Sequence, residues 1–173
     1  MPPNRRLKQR HLKIEFMSRR RRAVKRPLLE DSKYHSTLVS RLVNTVMHGG
    51  KKTTAQNIVY GAFDQIAEKN PATNPLEVLQ RAVDNAKPRL EVKPRRVGGA
   101  TYQVPVEVAS DRQFALAMRW LVDFADARKG VPMKEALAAE ILEAYQGQGN
   151  AIRNRDEVHK MAQANKAFAH FRW

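Results

Sequence analysis

The sequence of 173 residues contains no cysteine. That excludes a disulfide scaffold, thiolate metal sites and a cysteine nucleophile, and makes an intracellular protein the simpler reading. Long hydrophobic runs are missing as well. The longest stretch free of charged residues is Thr53 to Phe63, well short of the roughly 20 apolar residues that span a bilayer, so no transmembrane helix is expected. Acidic residues are in short supply, 17 against 32 Lys and Arg, leaving a formal net charge of +15. Such an imbalance calls for a polyanionic partner, either nucleic acid or an acidic membrane surface, because without one the charges repel each other. The length, with 42% hydrophobic residues, suits one domain with a modest core and an appended arm.

The positive charge is concentrated at one end. Residues 1–26 hold eleven Lys and Arg against the single Glu15 and so carry +10 of the total. Their apolar residues, Leu7, Leu12, Ile14 and Phe16, are too few to bury against anything, so this segment reads as a disordered, polyanion-binding arm. An Arg-rich targeting peptide would be rich in serine, and only Ser18 occurs here. Met17, Ser18 and four arginines also read as a second start, which would make residues 1–16 a gene-start artefact. Residues 27–173 read as one domain.

Within that domain the apolar residues recur at helical spacing. Leu38, Val39, Leu42, Val43, Val46 and Met47 draw one stripe, stopped by Gly49-Gly50. Thr53 or Thr54 is placed to cap the next helix, whose stripe is Ala55, Ile58, Val59, Ala62, Phe63 and Ile66, ending before Pro71. Asn74, Pro75 and Glu77 form an N-cap, a first-turn proline and a capping-box acid for a helix that Pro88 closes. Asp111 is placed to cap a fourth helix, through Leu116, Trp120, Leu121 and Phe124 to Gly130. Pro132 opens a fifth, through Leu137, Ile141 and Tyr145 to Gly147. Asn154 with Glu157 starts a last helix carrying Val158, Met161, Ala162, Asn165, Phe168 and Ala169. The expected fold is mainly α: a six-helix bundle whose stripes form the core.

One segment departs from this period. From Arg89 to Val108 apolar residues alternate about Gly98-Gly99, the pair favoured in a two-residue hairpin turn with positive φ. The spacing predicts a β-hairpin in which Val97 faces Ala100, Arg96 faces Thr101, Arg95 faces Tyr102 and Lys93 faces Val104. Near the tip neither face is apolar enough to be a core face, so the ribbon should project. Pro94 and Pro105 discourage a third strand from adding. An isolated two-stranded ribbon is marginal in water, so something outside the chain is expected to hold it. Lys93, Arg95 and Arg96 beside Tyr102 offer cations for phosphates and a plane on which an unstacked base can lie. An ordinary surface hairpin with solvated charges is the alternative.

Signals for chemistry are weak. Gly49-Gly50-Lys51-Lys52-Thr53 looks like the end of a phosphate-binding loop, but Thr45 stands where its first glycine belongs and a helix, not a strand, precedes it. Lys51 and Lys52 instead suit phosphate contact at a helix start. The histidines at 11, 35, 48, 159 and 170 show no metal-binding spacing, although His159 and His170 could share a helix face. Asp123 and Asp126 lack the neighbours of an acid–base pair or a two-metal site. No enzyme, metal or cofactor is expected.

Several longer motifs carry a resemblance. Leu42-Val43, Gly50-Lys51-Lys52 and Ile58-Val59, at intervals of six and five residues, resemble the signature of the small-ribosomal-subunit protein seven family. The run from Glu91 to Val108, the segment Ala115 to Trp120 and the ending Met161 to Trp173 are similar to its bacterial and organellar branch. The match covers about Met17 to Trp173. The resemblance implies a structural constituent of the small subunit that binds the 3′ major domain of its ribosomal RNA, nucleates head assembly and lies near messenger RNA and exit-site transfer RNA. Its protein neighbours would be the ninth and eleventh small-subunit proteins, and it would act as a monomer within a cytoplasmic or organellar ribosome.

By position, the resemblance gives ribosomal RNA contacts to Arg19, Arg20, Arg21, Arg22 and Lys25 of the arm, and to Lys51 and Lys52. It gives them also to Arg89, Lys93, Arg95 and Arg96 at the hairpin base, to Arg112 and Arg119, and to Arg153, Arg155, Lys160 and Lys166 of the last helix. The tip at Gly98 and Gly99 would approach messenger and transfer RNA. Composition alone also allows a DNA-binding helical regulator or compacting protein, and more distantly an RNA-processing enzyme.

Overall fold

The computed structural model describes residues 27–71 and 73–171; the basic arm over 1–26 lies outside them. Helix α1 spans Thr37–Val46 and is capped by the Ser36 hydroxyl, which accepts the Leu38 N–H at 3.2 Å. Its stripe is buried at Val39, Leu42, Val43 and Val46. Gly49 and Gly50, at φ +59° and +75°, then reverse the chain. Helix α2, Lys52–Lys69, begins earlier than the threonines predict. The Lys51 carbonyl already accepts the Ala55 N–H, so Thr53 and Thr54 fall inside the first turn and cap nothing. Helix α3, Pro75–Ala86, starts as its sequence dictates, with Asn74 accepting the Leu76 N–H at 3.0 Å.

Strands β1, Leu90–Val97, and β2, Ala100–Glu107, pair antiparallel in the register the turn dictates. Val97 lies opposite Ala100, Arg96 opposite Thr101, Arg95 opposite Tyr102 and Lys93 opposite Val104. Gly98 and Gly99, at φ +57° and +91°, form the turn. Helix α4, Ser110–Asp126, follows with no linker, because the Val108 N–H still bonds to the Arg89 carbonyl and the Ala109 carbonyl accepts from Arg112 and Gln113. Asp111 therefore lies inside the first turn instead of capping it, and the helix stops before Gly130.

Helix α5, Met133–Tyr145, is the centre of the bundle and packs against α2, α3, α4 and helix α6, Asn150–Ala164. Leu137 and Ile141 are fully buried, and Ala136, Ala138 and Ala144 let neighbouring helices approach closely on other sides. Two expectations for the chain's end are corrected. Helix α6 starts at Asn150, not Asn154, because a buried carboxylate on α5 caps it from outside: Glu140, 0% exposed, accepts the Ala151 N–H at 3.1 Å. Arg128 holds the same carboxylate at 2.6 Å and Glu143 at 2.7 Å. Gly149, at φ +91°, leaves room for this cluster, since a β-carbon there would come within 3.0 Å of the Glu143 side chain. Helix α6 also does not continue through Phe168 and Ala169. It ends at Ala164, and a 3-10 helix over Lys166–Phe171 turns back onto β2. Met161 is 53% exposed and so does not belong to the core stripe drawn through it, whereas its neighbour Ala162 is buried.

Candidate nucleic-acid interface

The base of the hairpin is clipped to the bundle by one carboxylate. Glu91, opposite Val106 on β2, is 8% exposed and receives Arg112 Nε of α4 at 2.8 Å and Lys93 Nζ at 2.9 Å. Burial pushes its pKa up, but the hydrogen bonds from Lys93 and Arg112 outweigh burial and leave it below the ordinary value. Lys93 and Arg112 are thus structural ion-pair partners as well as cations facing solvent, their side chains being 48% and 55% exposed. Sequence reading assigned both to RNA and missed Glu91, which looked like one more strand residue.

A second attachment joins the hairpin to α6. The backbone N–H of Arg89 donates to His159 Nε2 at 2.9 Å. Arg155, one turn earlier, donates to the Asn85 carbonyl on α3 and pairs with Asp156 at 2.6 Å. A third attachment is aromatic. Tyr102 on β2 packs against Phe168 and Phe171 of the 3-10 helix, with ring centroids 5.2 and 5.0 Å apart. The expectation that the ribbon needs a support from outside the chain is therefore corrected: α6 and the 3-10 helix supply it, and Val104, midway along the ribbon opposite Lys93, is fully buried. Tyr102 is half-buried in that contact.

These attachments bring together cations far apart in sequence. Arg89, Leu90, Pro105, His159 and Lys166 line a groove of about 480 Å³ between hairpin and chain end. Arg89, Arg155 and His159 line its neighbour toward α3, and Arg153 and Lys160 line a third beyond His159. Arg89, Arg96, Arg153, Lys160 and Lys166 are exposed, as are the glycines of the tip. Arg119 is exposed on α4, two turns from Arg112. Lys51 and Lys52 are exposed at the opening of α2, a helix that packs on α1, α3 and α5. Arg19, Arg20, Arg21, Arg22 and Lys25 lie outside the described residues.

Two features escaped the sequence. Arg41 and Lys87 stand over the Phe114 ring, 4.8 and 5.6 Å from its centroid, placing two further cations at the junction of α1, α3 and α4. Asp31, 6% exposed, accepts the Tyr60 hydroxyl at 2.8 Å and the N–H groups of Lys33 and Tyr34. These bonds, against the upward push of burial, hold its carboxyl below the ordinary value. They fasten the segment next to the basic arm onto α2.

Among the described residues, no group of three or more His, Asp and Glu side chains is arranged to hold a metal, and no helix is long and apolar enough to cross a membrane. The arrangement can present fixed cations to a polyanion.

Comparison with known proteins specifies the polyanion's context. The sequence profile described as Ribosomal protein S7p/S5e matches residues 18–166. A Thermotoga petrophila protein named small ribosomal subunit protein uS7 is 59% identical over 155 residues, covering 90% of this chain and 99% of its own length. Proteins of the same name from Akkermansia muciniphila and Francisella tularensis are 57% and 56% identical over 157 residues, covering 91% of this chain and all of theirs. With the profile spanning most of the helical domain and its hairpin, the chain belongs to the ribosomal protein S7p/S5e family.

Proposed function

We propose that this chain is a structural, non-enzymatic component of the small ribosomal subunit that binds small-subunit ribosomal RNA within a bacterial-type ribosome. The observation that carries this reading is the set of exposed cations gathered around one grooved junction, Arg89, Arg153, Lys160 and Lys166, with Arg96 on the hairpin above it. Because the hairpin is attached at Glu91, His159 and Tyr102, its cations reach a partner already oriented, and less conformational entropy is lost on binding. Phosphate contacts then supply affinity through counterion release, while the fixed spacing between ribbon and bundle selects one RNA shape.

The arm over 1–26, Lys51 and Lys52, Lys93, Arg95, Arg112, Arg119 and Arg155 complete the proposed RNA face. The tip at Gly98 and Gly99 is the part proposed to approach messenger and exit-site transfer RNA. Attachment to the 3′ major domain, a part in starting head assembly, and the ninth and eleventh small-subunit proteins as neighbours belong to the same proposal. So does the division into an arm and a single domain over 27–173. Family membership separates this reading from the DNA-binding alternative that composition allows.

Sucrose-gradient fractionation of a lysate tests it. The chain should migrate with small subunits at physiological salt. Migration with free protein or with DNA, under conditions that leave subunits intact, would overturn the reading.

A further inference from the structure

Among the described residues, His159 joins the last helix to the residue just before β1 through a ring nitrogen, and the cation set above gives it no role. It accepts the Arg89 N–H through Nε2, and an imidazole accepts at a ring nitrogen only while neutral, since protonation puts a hydrogen on both. We infer that His159 is a positioning residue for RNA binding: given that the hairpin binds RNA as proposed above, the neutral ring fixes the hairpin base to α6 and sets the direction in which its cations point.

The surroundings of the ring favour that neutral form. At the end of α3, Asp84 and Lys87, a pair 2.6 Å apart, line the same groove as the ring. On α6, Arg155 and Asp156 form another pair, also at 2.6 Å. The same helix adds Arg153 and Lys160 against Glu157. Arg89 before β1 and Lys166 of the 3-10 helix complete the ring's neighbours. The pairs largely cancel and the balance is positive. Burial first, then the charges of Arg155 and Arg89, pull the histidine below its ordinary pKa of 6.5, with Asp156 acting the other way. Acidification therefore removes the acceptor and adds one more cation to a positive junction. Both effects loosen the hairpin base.

Direct contact and positioning predict opposite pH profiles. A histidine touching phosphate binds RNA more tightly when protonated; a positioning histidine, acting through Arg89, binds it less tightly. The test measures affinity of the full chain for a folded small-subunit RNA fragment at fixed salt, from about pH 7.5 down to about pH 5, well below the ordinary histidine value because this ring is lowered from it; a wild-type profile flat across that range would overturn the inference. Exchange of the Arg89 amide in free protein is followed across the same range. The wild type should lose affinity about two- to tenfold, the worth of one hydrogen bond net of water, while the Arg89 amide loses protection.

His159→Gln, which keeps an oxygen acceptor that does not titrate, should be flat in both readouts. It also controls for titration of the RNA. His159→Leu should be weak and unprotected at every pH. Wild-type affinity that rises on acidification would overturn the inference, as would a His159→Leu variant with full affinity and a protected Arg89 amide. If the wild type binds no folded RNA even at the upper pH, the RNA reading itself falls, and the role toward RNA with it. The Arg89 exchange profile and its rescue by Gln would still report whether the ring holds the hairpin.

Discussion

Replacing Glu140 by alanine removes the one carboxylate on which the start of α6 depends. Its side chain is 0% exposed and touches two groups that need it, the Arg128 guanidinium at 2.6 Å and the Ala151 N–H at 3.1 Å. Breaking a buried ion pair by deleting one partner costs about 3 to 5 kcal/mol. The lower end applies because Arg128 keeps Glu143 at 2.7 Å and its side chain is 26% exposed. Losing the helix cap adds about 1 kcal/mol, so the total is about 4 kcal/mol. At about 2 to 4 °C per kcal/mol for a chain of this size, the midpoint of thermal unfolding should fall by about 8 to 16 °C. Circular dichroism melts at pH 7 read this directly. Glu140→Gln, which keeps an oxygen for the Ala151 N–H but turns an amide NH2 toward Arg128 in place of the accepting oxygen, should fall between alanine and wild type. Replacing Arg128 and Glu140 together by methionine should cost far less than the sum of the single changes. A Glu140→Ala protein melting within a degree or two of wild type would show that solvation of the carboxylate in the unfolded chain offsets everything it gains here.

Other outcomes follow from the same contacts. RNA affinity should fall about 10³- to 10⁵-fold between about 50 and 200 mM salt if roughly six to ten phosphates are neutralised. Arg96→Ala with Lys166→Ala should flatten that slope while leaving the thermal midpoint nearly unchanged, and a flat titration in the wild type would contradict it. Tyr102→Ala should cost about 1 to 3 kcal/mol through its two ring contacts and speed amide exchange across β1 and β2, with Tyr102→Phe close to wild type; exchange unchanged by alanine would remove the aromatic attachment. Glu91 and Asp31 titrate below their ordinary values of 4.5 and 3.8 when folded. Their stabilisation is therefore present above those values and is lost as pH falls through the lowered folded ones. Acid unfolding of Glu91→Gln should be shallower in slope from a less stable start, whereas an identical slope would refute the ion-pair assignment.

Local signals in the chain were legible where a few neighbouring residues decide the geometry. A two-residue Gly98-Gly99 turn leaves one compatible register, so every pairing from Leu90 to Glu107 follows from it. Asn74 caps its own helix through the Leu76 N–H two residues on, and the Asn-Pro pattern could be read directly. Thr53, Asp111 and Asn154 carry the same kind of signal, but each lies inside its helix and none is its N-cap. In each case the chain enters its helix under another constraint: a glycine turn before α2, a strand running straight into α4, and Glu140 reaching across from α5.

The proposed RNA face divides in the same way. Which side chains are cationic, and that they outnumber acids, is a property of composition. Sequence position could not reveal that Lys93 and Arg112 share Glu91, that Arg155 is tied to Asn85 and Asp156, or that Arg41 and Lys87 flank Phe114.

The amino-acid order alone determined a helical domain, one ribbon with a single register, a strongly basic end and no recognisable constellation for chemistry, because each depends on periodicity, turn stereochemistry or charge count over short spans. Only the folded arrangement decided how the ribbon is held and which cations stand exposed. Those outcomes depend on contacts between residues about 70 apart, such as Arg89 with His159, whose pairing no local preference encodes.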